Sequence, residues 1–267
     1  MSVFRDNLFE GKVAFFTGGT SGIALRIAER FAELGATVVL NGRKQDKMQA
    51  AVDAIRARGH RADGHACDVR DYAAIADAVA RTHATHGEID FLFCAAAGNF
   101  PAPVLGMSAN GFKAVIDIDL LGTFNTCRAA HQHLRKPGAS VVTITANHGH
   151  QPYPLQAHVC AAKAGVDLLT KTLAMEWGAH GIRVNGIAPG PIDDTEGMRR
   201  LAPTEEARKA VIGFIPIGRM GSRDDVAELA VFLCSEAAGF ITGGIYQCDG
   251  GQSLTGPRAL GPAAASP

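Results

Sequence analysis

Seven short runs, KVAFFTG, TVVLNG, RADGHACDV, IDFLFCAAAG, SVVTIT, IRVNGIAPG and GGIYQCDGG, recur along the whole chain between amphipathic segments of helix length, such as Ile23 to Leu34 and Lys44 to Arg58. Most of these runs are almost continuously apolar instead of alternating, the pattern of strands covered on both faces. Strand and helix in alternation predict an α/β fold with a doubly wound parallel sheet and helices on both faces. No repeat or internal linker interrupts it, so one domain is expected over residues 1–254, and 47% apolar residues supply its core. Two segments depart from the rhythm. Residues 191–222 form a long insertion after the sixth strand, expected to act as a mobile substrate lid. Residues 255–267, rich in Pro and Ala, are expected to be a weakly held tail.

The segment VAFFTGGTSGIALRIAERFAELGA is a strand, a glycine turn and a helix. Gly18 and Gly22 let backbone approach a pyrophosphate, and the helix opening at Ile23 offers free N–H groups and the positive end of its dipole. The turn residues Gly18, Thr20, Ser21, Gly22 and Ile23 are therefore candidate nucleotide ligands. The second strand ends Asn41, Gly42, Arg43, Lys44, with no carboxylate to hold a ribose 2′-hydroxyl. Arg43, with Lys44 beside it, suits a 2′-phosphate instead, so NADP(H) is the expected cofactor and the sheet is of Rossmann type.

The balance of 26 basic and 26 acidic residues argues against bulk nucleic-acid or anionic-membrane binding. No stretch reaches the roughly 18 apolar residues of a membrane helix, and the amino terminus lacks a signal-peptide pattern. Six scattered cysteines, with no CxxC pair, read as free thiols of a reducing compartment. His131 and His133 do not share a helix face, and no metal is expected. The final Ala-Ser-Pro is not a peroxisomal Ser-Lys-Leu address, which places the expectation in the cytoplasm.

Thr17, Gly18, Gly22 and Ile23 match the TGxxxGxG signature of the short-chain dehydrogenase/reductase family, which the chain resembles, with Ala24 in place of the last glycine. The resemblance implies that Asp68 and Val69 contact adenine, and that Pro189, Gly190 and Ile192 (in PGPI) hold the carboxamide. It also exposes losses. Val159 stands where the family has its catalytic tyrosine, Ala146 where it has serine, and Asp119 where it has asparagine; Lys163 is retained. The segments CAAAGNF, DIDLLGTFN, TITA, LQAHVCAAKAGVD and EWGAHGIRVNGIAPGPIDDTEGMRRL together resemble the 2,4-dienoyl-CoA reductases, especially the peroxisomal type.

That resemblance implies an NADPH-dependent reduction of 2,4-dienoyl-CoA to 3-enoyl-CoA in fatty-acid oxidation, with Asp119 and Lys163 replacing the Tyr–Lys pair. Lys163 would bind the nicotinamide ribose; Asp119 would orient it or relay a proton through water. His148 is the leading candidate for protonating C2, with His158 and Tyr153 as alternatives. Asn99 and Phe100 would wall the acyl pocket beside His158, and Arg199 and Arg200 would meet the coenzyme's phosphates. A homotetramer is the family's usual assembly. Two other readings stay open: a reductase of another enone, enoyl thioester or ketone, and a non-catalytic NADP-binding sensor or assembly subunit.

Overall fold

The computed structural model describes residues 3–255; apart from Thr255, the expected Pro/Ala-rich tail lies outside them. Its sheet has seven parallel strands in the order β3-β2-β1-β4-β5-β6-β7. These are β1 (Val13–Thr17), β2 (Thr37–Gly42), β3 (Ala62–Ala66), β4 (Phe91–Cys94), β5 (Ser140–Ile144), β6 (Arg183–Pro189) and β7 (Ile245–Cys248). Helices α1 (Gly22–Glu33), α2 (Gln45–Ala57) and α3 (Tyr72–His86) follow the first three strands. Then come α4 (Ala109–Ile116), α5 (Gly122–Ala130), α6 (Ala157–Trp177), α7 (Glu196–Leu201), α8 (Glu205–Ile212) and α9 (Arg223–Cys234).

The pleat of β1 sorts the two cores. Ala14 and Phe16 join Ile27 and Phe31 of α1 and Val226 and Val231 of α9 on one face, while Val13 and Phe15 join Val79 of α3 and Trp177 of α6 on the other. Phe16 pairs in register with Phe93 of β4, and their rings stack at 4.4 Å with Phe31 edge-on to both. Each such buried ring stabilises by about 1.5–3 kcal/mol. Edge strand β3 is only half-buried, which explains why its sequence is the least apolar of the seven.

Strand order reverses between β1 and β4, so the loops at their carboxyl ends part there and leave a crevice, where ligands of open α/β sheets bind. Between α4 and α5 the chain makes a π-helical turn, Asp117–Leu121. The insertion at 191–222 contributes α7 and α8, which share a small apolar cluster of Met198, Ala202, Val211, Ile215 and Met220. No helix of the described residues is long and apolar enough to cross a membrane.

Candidate active site

The crevice is a cleft of about 580 Å³. One side is made mostly of main chain. Gly18 and Gly22 have φ of +68° and +60°, a left-handed conformation that favours glycine. A Cβ on Gly18 would stand 2.7 Å from Ala95 O and Ala96 N, so only glycine lets the β1 turn lie against the β4 loop. Ser21, at the start of α1, makes no side-chain cap and no acidic residue occupies the first turn, which leaves the N–H groups open to an anion. Thr20, Ser21 and Ile23 line this side with Asp68 and Val69 after β3 and Pro189, Gly190 and Ile192 after β6. Asp68 takes both guanidinium arms of Arg70 and is held below the usual carboxylate range chiefly by that contact.

Arg43 reaches the same cleft from the tip of β2 and makes no hydrogen bond or ion pair among the described residues, whereas Asn41 turns inward to the carbonyls of His65 and Cys67. The pyrophosphate cradle, the unpaired Arg43 and the lack of an acid at the β2 tip all fit a dinucleotide with a 2′-phosphate. Lys44 is exposed and does not line the cleft, because it occupies the N-cap of α2 and points outward.

The opposite side is made of side chains. Lys163 of α6 is 6% exposed and Asp119 of the π turn 1%. Lys163 Nζ lies 3.1 Å from Asp119 Oδ2 and donates to Ile144 O, also at 3.1 Å. Asp119 Oδ1 accepts the Gly98 N–H at 2.7 Å, while Oδ2 receives no aligned hydrogen bond. The Nζ–Oδ2 contact is thus an ion pair with lone pairs to spare, and both groups retain capacity for a hydroxyl or a water. Ile118 and Ile144 line the cleft, which sets the pair directly behind its floor. Val159, in the tyrosine's place, packs with Val115 and Ala162 in a dry apolar cluster. Asp117 points outward to Lys113.

His148 and Tyr153 also line the cleft, their rings stacked at 4.0 Å and 20°. His148 Nε2 lies 2.7 Å from Gln156 Oε1, and Gln156 Nε2 donates to Asn99 Oδ1 at 3.0 Å. Burial pushes the His148 imidazole below its ordinary pKa, against the Gln156 hydrogen bond, and Lys163 adds to the depression. Burial raises the Tyr153 phenol, so that it keeps its proton at neutral pH, with the Asn147 side chain opposing. Asn147 in turn donates to Asp249 at 2.9 Å.

None of the five expected substrate contacts lines the cleft. His158 is 0% exposed, edge-on to Phe100 at 4.4 Å, and does not line the cleft, because it starts α6 on its inner face. Phe100 covers that histidine and is itself half-exposed. Arg199 and Arg200 are exposed on α7 beside Asp194 and Glu196 and do not line the cleft, whose wall α7 builds from Glu196, Gly197, Met198 and Leu201. Asn99 reaches the site only through Gln156. Sequence reasoning missed Gln156 and Asn147, since an isolated amide carries no spacing signal. Ile118 and Thr145 were equally silent, whereas the α7 wall falls within the segment 191–222 expected to cover the substrate.

A family model described as enoyl-(acyl carrier protein) reductase matches residues 18–253. The chain is 42% identical over 252 residues to a peroxisomal 2,4-dienoyl-CoA reductase [(3E)-enoyl-CoA-producing] of Saccharomyces cerevisiae, covering 93% of this chain and 86% of that protein. It is 40% identical over 269 residues to the Arabidopsis thaliana protein of the same description, covering 97% and 90%. Among solved structures, a gluconate 5-dehydrogenase from Burkholderia cenocepacia in complex with NADP and tartrate superposes with a TM-score of 0.88 at 31% identity, covering 93% of this chain and 98% of that one.

Proposed function

Because the chain belongs to the short-chain dehydrogenase/reductase family and has 2,4-dienoyl-CoA reductases among its relatives, we propose that it reduces 2,4-dienoyl-CoA thioesters with NADPH to 3-enoyl-CoA, within the oxidation of unsaturated fatty acids. The observation that carries the reading is the buried Asp119–Lys163 pair beside the cleft, where Val159, packed in an apolar cluster, replaces the family's tyrosine hydroxyl. A ketone reductase needs an acid beside the carbon that receives hydride. A dienoyl thioester does not, because charge leaves that carbon through the conjugated system.

Bound NADPH supplies the hydride, which C5 accepts. The electrons pass to the thioester oxygen as an extended dienolate, and C2 then takes a proton, leaving one double bond between C3 and C4. Arg43 and the glycine turn bind and orient the dinucleotide. Lys163 Nζ faces Ile144 O and Asp119 Oδ2 in two directions, and a third remains for a ribose hydroxyl or a water. Asp119 holds that ammonium in place. Tyr153 retains its hydroxyl proton as a donor toward the thioester oxygen. The His148–Gln156 contact engages Nε2 of the ring, which favours Tyr153 or a water held by the Asp119–Lys163 pair as the source of the C2 proton.

In the same reading the protein works in the cytoplasm as a homotetramer. Six free cysteines suit a reducing compartment. Phe124 of α5 with Leu168 and Met175 of α6 leave apolar surface for another copy, and light scattering at the tetramer mass tests the assembly.

The deciding experiment is NADPH absorbance loss with 2,4-hexadienoyl-CoA, followed by NMR assignment of the product's double bond. Turnover to the 3-enoyl thioester is expected. Reduction of a ketone or simple enone with no dienoyl-CoA turnover would overturn the reading.

A further inference from the structure

Gln156 stands at the N-cap position of α6, two turns ahead of Lys163, yet its side chain makes no cap there. It is 4% exposed and fully engaged elsewhere. Its amide nitrogen donates to Asn99 Oδ1 at 3.0 Å, in the loop after β4, and its oxygen meets His148 Nε2 at 2.7 Å, in the loop after β5. An amide that donates at nitrogen can only accept at oxygen. The imidazole is therefore the donor, Nε2 carries the proton and Nδ1 is bare. Nδ1 is buried and has no partner.

We propose that Gln156 is a positioning residue that clamps the β4 and β5 loops across the entrance to α6 and locks His148 as the Nε2–H tautomer, so that the ring supports Tyr153 by stacking and takes no part in proton transfer. The activity arms of the test rest on the dienoyl-CoA reading, whereas the spectroscopic arm does not. The charged and titratable groups around His148 are Lys163 of α6, Tyr153 before it, Asp249 through Asn147, and Asp167, against whose carboxylate Gly149 packs. Burial and Lys163 hold the imidazole neutral at physiological pH.

The test uses the full chain with NADPH and ¹⁵N-labelled histidine. His148 is expected to show the Nε2–H tautomer and a midpoint below that of an ordinary histidine. Gln156→Glu keeps the shape but puts a carboxylate against Nε2, and Asn99 can rotate its amide to donate to it. The His148 midpoint should rise by at least one pH unit. The profile of kcat/KM for 2,4-hexadienoyl-CoA should gain an inflection at that midpoint, which His148→Asn in the same background removes. Gln156→Ala should raise KM for the thioester at least tenfold and change NADPH affinity less than threefold. A wild-type His148 that titrates at or above the midpoint of an ordinary histidine, or carries its proton on Nδ1, overturns the lock. An unchanged KM in Gln156→Ala overturns the clamp. If the wild type turns over no dienoyl-CoA, the function fails and the spectra still decide the tautomer.

Discussion

The two sides of the cleft are built from different materials. The nucleotide side depends on main chain: left-handed Gly18 and Gly22, an uncapped α1 and a close approach to Ala95 that a single methyl would block. The catalytic side depends on side chains drawn from distant segments: Asp119, Lys163, His148, Tyr153, Asn99 and Gln156. Backbone recognition tolerates only glycine at a few positions and is indifferent to the letters around them. Side-chain recognition lets chemistry change while the frame stays, and the exchange of Tyr for Val159 is such a change. The scaffold keeps its cofactor; the partner reaction is rewritten.

Substitutions separate the two sides by their signatures. Lys163→Ala should have the largest effect, lowering kcat about 10²–10⁴-fold, as loss of a positioned acid–base group does, with NADPH affinity reduced less. Asp119→Ala should match that loss and also leave the Lys163 charge buried and unpaired, at about 3–5 kcal/mol of stability. Replacing both by Leu and Met should recover most of the melting temperature without activity, a result that calorimetry beside the rate assay would show. Arg43→Ala should weaken NADPH by about ten- to hundredfold, the worth of hydrogen bonds to a charged group at ~1.5–3 kcal/mol, and leave NADH almost unchanged. Isothermal titration with both cofactors reads the difference; equal losses would mean that Arg43 meets no 2′-phosphate. Gly18→Val should destabilise by about 1–3 kcal/mol through overpacking against Ala95 and Ala96, and should cut NADPH binding while Lys163 stays paired. The smallest effect is expected for Ala24→Gly, which restores the family glycine: under about 1 kcal/mol in stability, the helix-propensity difference, and less than a threefold change in NADPH affinity.

The same contrast decides what could be read from the sequence. Apolar runs, the glycine turn and the acid-free β2 tip are local patterns, and the sheet, the phosphate cradle and Arg43 in the cleft follow from them. Asp119 and Lys163 were identifiable only because a known pattern surrounds them; nothing in their spacing shows that the π turn brings them within 3.1 Å. Gln156 and Asn147 act through partners far along the chain, and no periodicity encodes such meetings. His158, Arg199 and Arg200 show what residue type alone leaves out: the ring is packed inside α6, and the guanidinium groups stand on α7 beside acids, away from the cleft lining. Lys44 does not line the cleft, whereas Asn41, Gly42 and Arg43 of the same tip do.

The π turn at Asp117–Leu121 has a further consequence. A π turn is an α-helix carrying one residue too many. Removal of one residue from it would let the helix close normally, leaving α4 and α5 in their register while the side chains within the turn, Asp119 among them, are re-aimed away from Lys163. A substitution at Ile118 or Leu120 changes one contact, whereas a one-codon deletion re-aims the carboxylate that Lys163 meets. The carboxylate is held in place by counting as much as by chemistry, so this centre is more vulnerable to changes of length than to changes of letter.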